Sequence, residues 1–161
     1  MKKLMILALI GVVIACAPDK PAQKEDVGDA AAEQESAGKN AVEQAMTDPA
    51  KGLGAVTSVT LKTPLEQTRI DRGLSIYEMK CSACHKLTDQ RVVGPGWQGI
   101  TKRRQPEWIM NMITNTDIML DKDAEAQKLL ELCLVRMPNQ NISVGDARDI
   151  LEYMRKNDGE K

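Results

Sequence analysis

Residues 81–85 read Cys-Ser-Ala-Cys-His, and His85 is the only histidine in the chain. Two thiols and an imidazole packed this tightly restrict what the polypeptide can fold around. A structural zinc ion would need four ligands, commonly two pairs. Only Cys133 is left to complete such a set once Cys16 is given the role argued below. A dithiol redox pair is the second reading, and it normally sits where a strand feeds a helix in a βαβ unit. The third reading is covalent haem attachment, with both thiols joined to the haem vinyl groups and the adjacent imidazole at the iron.

The pattern around the cluster is helical. Thr63, Pro64 and Glu66 fit an N-cap, a first-turn proline and the third position of a capping box. Ile70, Gly73, Leu74, Tyr77 and Cys81 recur at helical spacing, which predicts one helix over 64–81 ending at the cysteines. A loop is expected through 86–104. Pro106 then opens a short helix with Trp108, Ile109, Met112 and Ile113 on one face. A third helix over 123–134 carries Ala126, Leu129, Leu130 and Cys133. Ser143 caps a last helix faced by Val144, Ala147, Ile150, Leu151 and Met154. Residues 56–63 are β-prone but isolated and read as an extended lead-in. The expected fold class is all-α, about four helices with long loops, in a domain spanning 56–161. The chain has no Phe and 2% aromatic residues, so something other than side chains must supply flat apolar bulk.

The N-terminal part has another character. Two lysines precede an apolar run of signal-peptide length, too short for a comfortable membrane span. The stretch Val-Ile-Ala-Cys at 13–16 resembles the bacterial lipobox. It implies a lipoprotein signal peptide at 1–15 and a lipidated Cys16, the alternative being plain cleavage with Cys16 lost or idle. Residues 16–55 lack the large apolar side chains needed to offset chain entropy and read as a flexible tether. Residues 17–61 hold 8 acidic and 4 basic residues, against 15 and 16 over 62–161, so the tether is acidic and the domain nearly neutral. A tether of ~45 residues has a reach of roughly 35–40 Å. A net charge of −1 gives no global field for nucleic acid.

The domain resembles the small class I c-type cytochromes. Gly73 stands eight residues before Cys81 and Tyr77 four before it, matching that family's first helix. Ile150 and Tyr153 match the apolar-x-x-aromatic pattern of its last helix. Val93–Ile100 resembles the family's Gly-Pro-x-Leu-x-Gly segment. Met137-Pro138, just ahead of the last helix, resembles its distal ligand segment. The resemblance covers about residues 64–157. It implies a cytochrome c fold wrapped around one covalently bound haem c, with thioethers at Cys81 and Cys84. It further implies His85 as proximal iron ligand, with the Pro95 carbonyl on its free nitrogen. Trp97 takes the leucine position against the haem, and Met137 is the distal iron ligand.

No second histidine exists, and a neutral thioether favours ferrous iron. Met119, expected in a loop, is the rival donor to Met137; Met110 and Met112 read as core filling. Arg103, Arg104 and the Trp108 indole could reach haem propionates, or form a solvated basic turn beside a core tryptophan. Cys133 reads as a small buried hydrophobe. The function implied is that of a membrane-anchored monohaem carrier, exported and facing the periplasm. It would shuttle single electrons between redox proteins of a respiratory chain, as a monomer without catalytic residues of its own. The alternatives are a haem subunit of a larger oxidoreductase complex, and a haem enzyme or gas sensor with an open sixth position.

Overall fold

The structure, a computed structural model, describes residues 48–161. The signal peptide, Cys16 and most of the tether lie outside the described residues. Six α-helices follow in order: α1 Gln67–Ile76, α2 Ile100–Arg103, α3 Pro106–Thr114, α4 Thr116–Lys122, α5 Ala124–Cys133 and α6 Val144–Asn157. Among the described residues there is no strand, only an isolated bridge between His85 and Arg91.

The all-α expectation holds, with corrections at its edges. The first helix begins at Gln67, not at 64. Thr63–Pro64 is a cis peptide, and Glu66 is the N-cap residue in an extended conformation without a side-chain cap bond. Tertiary bonds hold this entry open. The Glu66 N–H donates to Glu152 Oε1 at 3.1 Å, and Arg155 Nη2 donates to the Lys62 carbonyl at 3.2 Å. At its other end α1 runs into a π-turn, Tyr77–Cys81, closed by Ser82 N–H on the Tyr77 carbonyl at 2.8 Å. Two segments read as loops are short helices. α2, at four residues, is too brief to show a period, and α4 is two turns long.

α1 and α6 form the frame. They cross so closely at Gly73 that a Cβ there would overlap the Asp149 carbonyl. Only hydrogen fits at that point. Arg69 and Arg72 clamp the crossing on Asp149, at 2.6 and 2.5 Å. Burial alone would raise the Asp149 pKa, but the bonds from Arg72 and Arg69 outweigh it and hold the carboxyl below its ordinary value. Further along, Tyr77 stacks tilted on Tyr153, with ring centroids 5.6 Å apart. Ser143 caps α6 as expected, its Oγ accepting from Asp146 N–H, and Asp123 caps α5 through Ala126 N–H.

The lead-in packs on the domain without regular structure. The flexible tether expected to run to residue 55 is corrected here, because contacts with the domain begin at Lys51. Asn111 donates to the carbonyls of Lys51 and Val56, both at 3.0 Å, and accepts from Val56 N–H at 3.0 Å. Asn115 donates to the Leu53 carbonyl at 2.9 Å, and Glu107 accepts from Val59 N–H at 3.1 Å. These three side chains recur every four residues and so form one stripe along α3. α3 is therefore buried on more than the single face its apolar pattern showed.

Gly73→Ala forces α1 and α6 apart and is expected to cost about 1–3 kcal/mol, the usual range for overpacking. Urea unfolding of the wild-type and variant proteins measures the difference.

Candidate functional site

The π-turn delivers Cys81 to the start of one more helical turn, in which Cys84 and His85 N–H groups both bond the Cys81 carbonyl. The cluster is thus a local helical hook. The Tyr77 hydroxyl donates to the His85 carbonyl at 2.9 Å and ties the hook back to its own helix. Burial pushes the Cys81 thiol up to about 11.

The loop after the hook folds back over the imidazole. Gly94 N–H bonds the Cys84 carbonyl at 3.0 Å, and Trp97 N–H bonds the Lys86 carbonyl at 2.8 Å. His85 Nδ1 then lies 2.9 Å from the Pro95 carbonyl. A carbonyl only accepts, so Nδ1 carries the proton and Nε2 keeps its lone pair. Burial lowers the His85 pKa against the opposing pull of that carbonyl, which favours the neutral ring a metal requires. A Cβ on Gly94 would overlap the His85 ring, and one on Gly96 would overlap the Thr88 carbonyl. The Gly94-Pro95-Gly96 run is therefore a cradle cut to the imidazole. Trp97 is buried, its ring 5.6 Å from that of His85 and 5.0 Å from that of Tyr77.

These side chains open onto a cavity of about 490 Å³. Cys84, His85, Pro95 and Trp97 line it together with Trp108, Ile109, Met112, Ile113, Leu120, Leu129, Leu130, Met137 and Met154. The polar lining groups are few: His85 and the arginines 103, 104 and 136. A wall this apolar and open to water favours being covered, at roughly 25 cal/mol per Å². The wall is built to be covered by a large flat apolar group. The donor set suits haem c: two thiols on one turn, an imidazole locked with Nε2 available, and thioethers in the same cavity.

The structure brings Cys84, His85, Pro95, Trp97 and Met137 to one cavity, with Cys81 partly buried on the same turn. Met119 is not among the lining residues. It sits on α4, fully buried, with its Sδ accepting Leu53 N–H at 3.0 Å. The Trp108 ring is buried, and its indole N–H donates to Asp123 at 3.2 Å. Arg104 stacks on the Trp108 ring at 4.6 Å and bonds Glu125 at 3.0 Å, while Arg103 bonds the Gln98 carbonyl. Cys133 is partly exposed and lines the cavity. Sequence reasoning missed the Tyr77 hydroxyl bond, the Gly94 cradle, and Met112 and Met154 as cavity wall. The glycines flanking Pro95 were the available signal for the cradle.

Comparison with known proteins agrees with this geometry. The family model described as "Cytochrome c" matches residues 70–158. A structure of cytochrome c from Rhodothermus marinus is 32% identical, covers 69% of this chain and 97% of its own, and superposes with a TM-score of 0.65. An engineered form of that cytochrome, bound to a carbene intermediate, is likewise 32% identical over 69% of this chain and 98% of its own, with a TM-score of 0.62. No curated protein matches the chain significantly.

Gly94→Ala places a methyl group against the imidazole and is expected to displace the ring from the Pro95 carbonyl. The visible spectrum of the holoprotein is expected to show mixed or weakened axial ligation, while far-ultraviolet circular dichroism stays helical.

Proposed function

We propose that this chain, which belongs to the cytochrome c family and is an electron-transfer haem protein, serves as an exported, lipid-anchored carrier of single electrons between respiratory redox proteins. Members of the family bind one covalently attached haem c, and the cavity described above is where this chain holds it. When bound, that group supplies a one-electron ferric–ferrous couple tuned by its ligands and surroundings. In this reading Cys81 and Cys84 are the thioether positions and His85 is the proximal ligand through Nε2.

The observation that carries the reading is the 2.9 Å contact between His85 Nδ1 and the Pro95 carbonyl. It selects the tautomer, orients the ring and raises its basicity as a ligand. Trp97 and the aliphatic wall exclude water around it. Met137 is the distal ligand in this proposal. It lies on the cavity wall, and Pro138 restricts its backbone to extended conformations and offers no N–H of its own. Met119 is set aside because its sulfur is already an acceptor in the buried lead-in contact. Were His85 and Met137 both to hold the group, no open position would be left for a substrate, which favours electron transfer over the enzyme or gas-sensor reading. Lipidation at Cys16 and export would keep the domain near its partners and raise their effective concentration.

Met137→Ala is expected to abolish the weak far-red band that marks sulfur ligation in the ferric protein, whereas Met119→Leu retains it. Retention in Met137→Ala would move the ligand to Met112 or Met154. For the anchor, the wild-type protein expressed in a bacterial host is expected to partition into the detergent phase of a Triton X-114 extract. The Cys16→Ser variant is expected to stay in the aqueous phase or remain unprocessed.

A further inference from the structure

Residues 134–143, the segment that carries Met137, hold no helix or strand. No backbone-to-backbone hydrogen bond is made between Val135 and Ile142 among the described residues. A segment without such bonds takes its polar partners from side chains or water. Its two ends are also set apart by their conformation. Leu134 has φ 59° and Asn141 φ 51°, and among the described residues these are the only non-glycine residues with positive φ. Asparagine tolerates the left-handed region, whereas leucine adopts it only at a cost. The segment is therefore held in place from outside.

Basic side chains do the holding. Arg136, the residue before Met137, reaches α4: its Nη2 donates to the Asp117 carbonyl at 3.1 Å and to Asp121 Oδ1 at 2.7 Å. The Asp117 carboxylate stands 3.8 Å from the same nitrogen. Asp117 and Asp121 are four residues apart and share one face of α4. At the other end Lys80 Nζ, on the π-turn that delivers Cys81, donates to the Gln140 carbonyl at 3.0 Å. Just ahead of the segment, Arg91 Nη1 donates to the Leu132 carbonyl. Met137 lies between these fasteners, half-buried and on the cavity wall. Arg136, Lys80 and Arg91 are all exposed, so each contact can break without unfolding a helix.

Resting on the reading of Met137 as distal ligand, we propose that Arg136 is the positioning residue for that ligand. Through Asp117 and Asp121 it latches residues 135–141 onto α4, and Lys80 latches their far end onto the attachment turn. The segment is then a lid. It opens by exchanging side-chain contacts for water, swinging at Leu134 and Asn141, and no backbone ladder is broken. With the latch closed the Met137 sulfur is kept at the cavity. With it open the sulfur leaves, and its position is free to another donor. An exposed ion pair holds weakly, so the lid opens far more readily than the domain unfolds.

The test follows entry of imidazole into the ferric, haem-loaded protein by loss of the far-red band. At saturating imidazole the rate is expected to level off at that of lid opening. Arg136→Ala and Asp121→Ala are each expected to raise this plateau about two- to fivefold, as removal of an exposed ion pair allows. Arg136→Lys is expected to fall between Arg136→Ala and the wild type. The Arg136→Ala/Asp121→Ala double variant is expected to be no faster than Arg136→Ala alone, because both changes cut one contact. Lys80→Ala, at the other end, is expected to add its own acceleration to that of Arg136→Ala. Lys128→Ala breaks an exposed pair with Glu125 on α5 and is expected to leave the plateau at the wild-type value. An Arg136→Ala plateau equal to that of the wild type, or matched by Lys128→Ala, overturns the latch. Met137→Ala tells the two readings apart. A far-red band that survives in it sinks the ligand assignment and the latch together. A band lost there, with a wild-type plateau in Arg136→Ala, sinks the latch alone.

Discussion

The crossing of α1 and α6 at Gly73 is the contact on which the remainder of the molecule depends. Two helices from opposite ends of the domain meet backbone to backbone against the Asp149 carbonyl. That closeness sets where Tyr77 meets Tyr153, and hence where the π-turn releases Cys81. The arginine clamp on Asp149 and the buried Glu152, bonded by Arg148, Arg155 and the Glu66 amide, secure the same joint. Burial raises the Glu152 pKa, but the bonds from Arg148, the Glu66 N–H and Arg155 bring it below its ordinary value. The stability this contributes is complete above the ordinary carboxylate value and is lost as pH falls through the lowered folded one.

From that joint the site is assembled by short-range means. The hook of residues 81–85 is one helical turn. The loop from 94 to 98 is laid across it by backbone bonds, and two glycines leave room for the ring and the neighbouring carbonyl. Nothing in the arrangement asks His85 to find its orientation from a distant element. The far wall is different. It is made of α3, α5 and the Met137 segment, which come together only when the whole chain has folded. The attachment side is therefore local in sequence and the distal side is not.

This division explains what could be read without coordinates. The helical period marked α1, α3, α5 and α6, and the Cys81–His85 cluster with Pro95 ten residues on marked the attachment side. The Ser143 cap was legible because its bond is to a neighbour three residues away. The capping box at Thr63–Glu66 misled, since Glu66 N–H and the Lys62 carbonyl are taken by α6 side chains remote in sequence. α2 and α4 were missed because one or two turns do not establish a period. The partners of Trp108 and Arg104 were not legible for a related reason. Asp123 and Glu125 sit at the start of α5, and their approach is a product of tertiary packing that no local pattern records.

The stripe of Glu107, Asn111 and Asn115 has a mechanical meaning. Residues 51–59 are stitched to Glu107, Asn111 and Asn115 by several hydrogen bonds in a row. A pull on that end is shared among those bonds and passes into the interior helix. The segment leading into the domain is thereby fastened along a length of helix, and no single bond of the five carries the load alone.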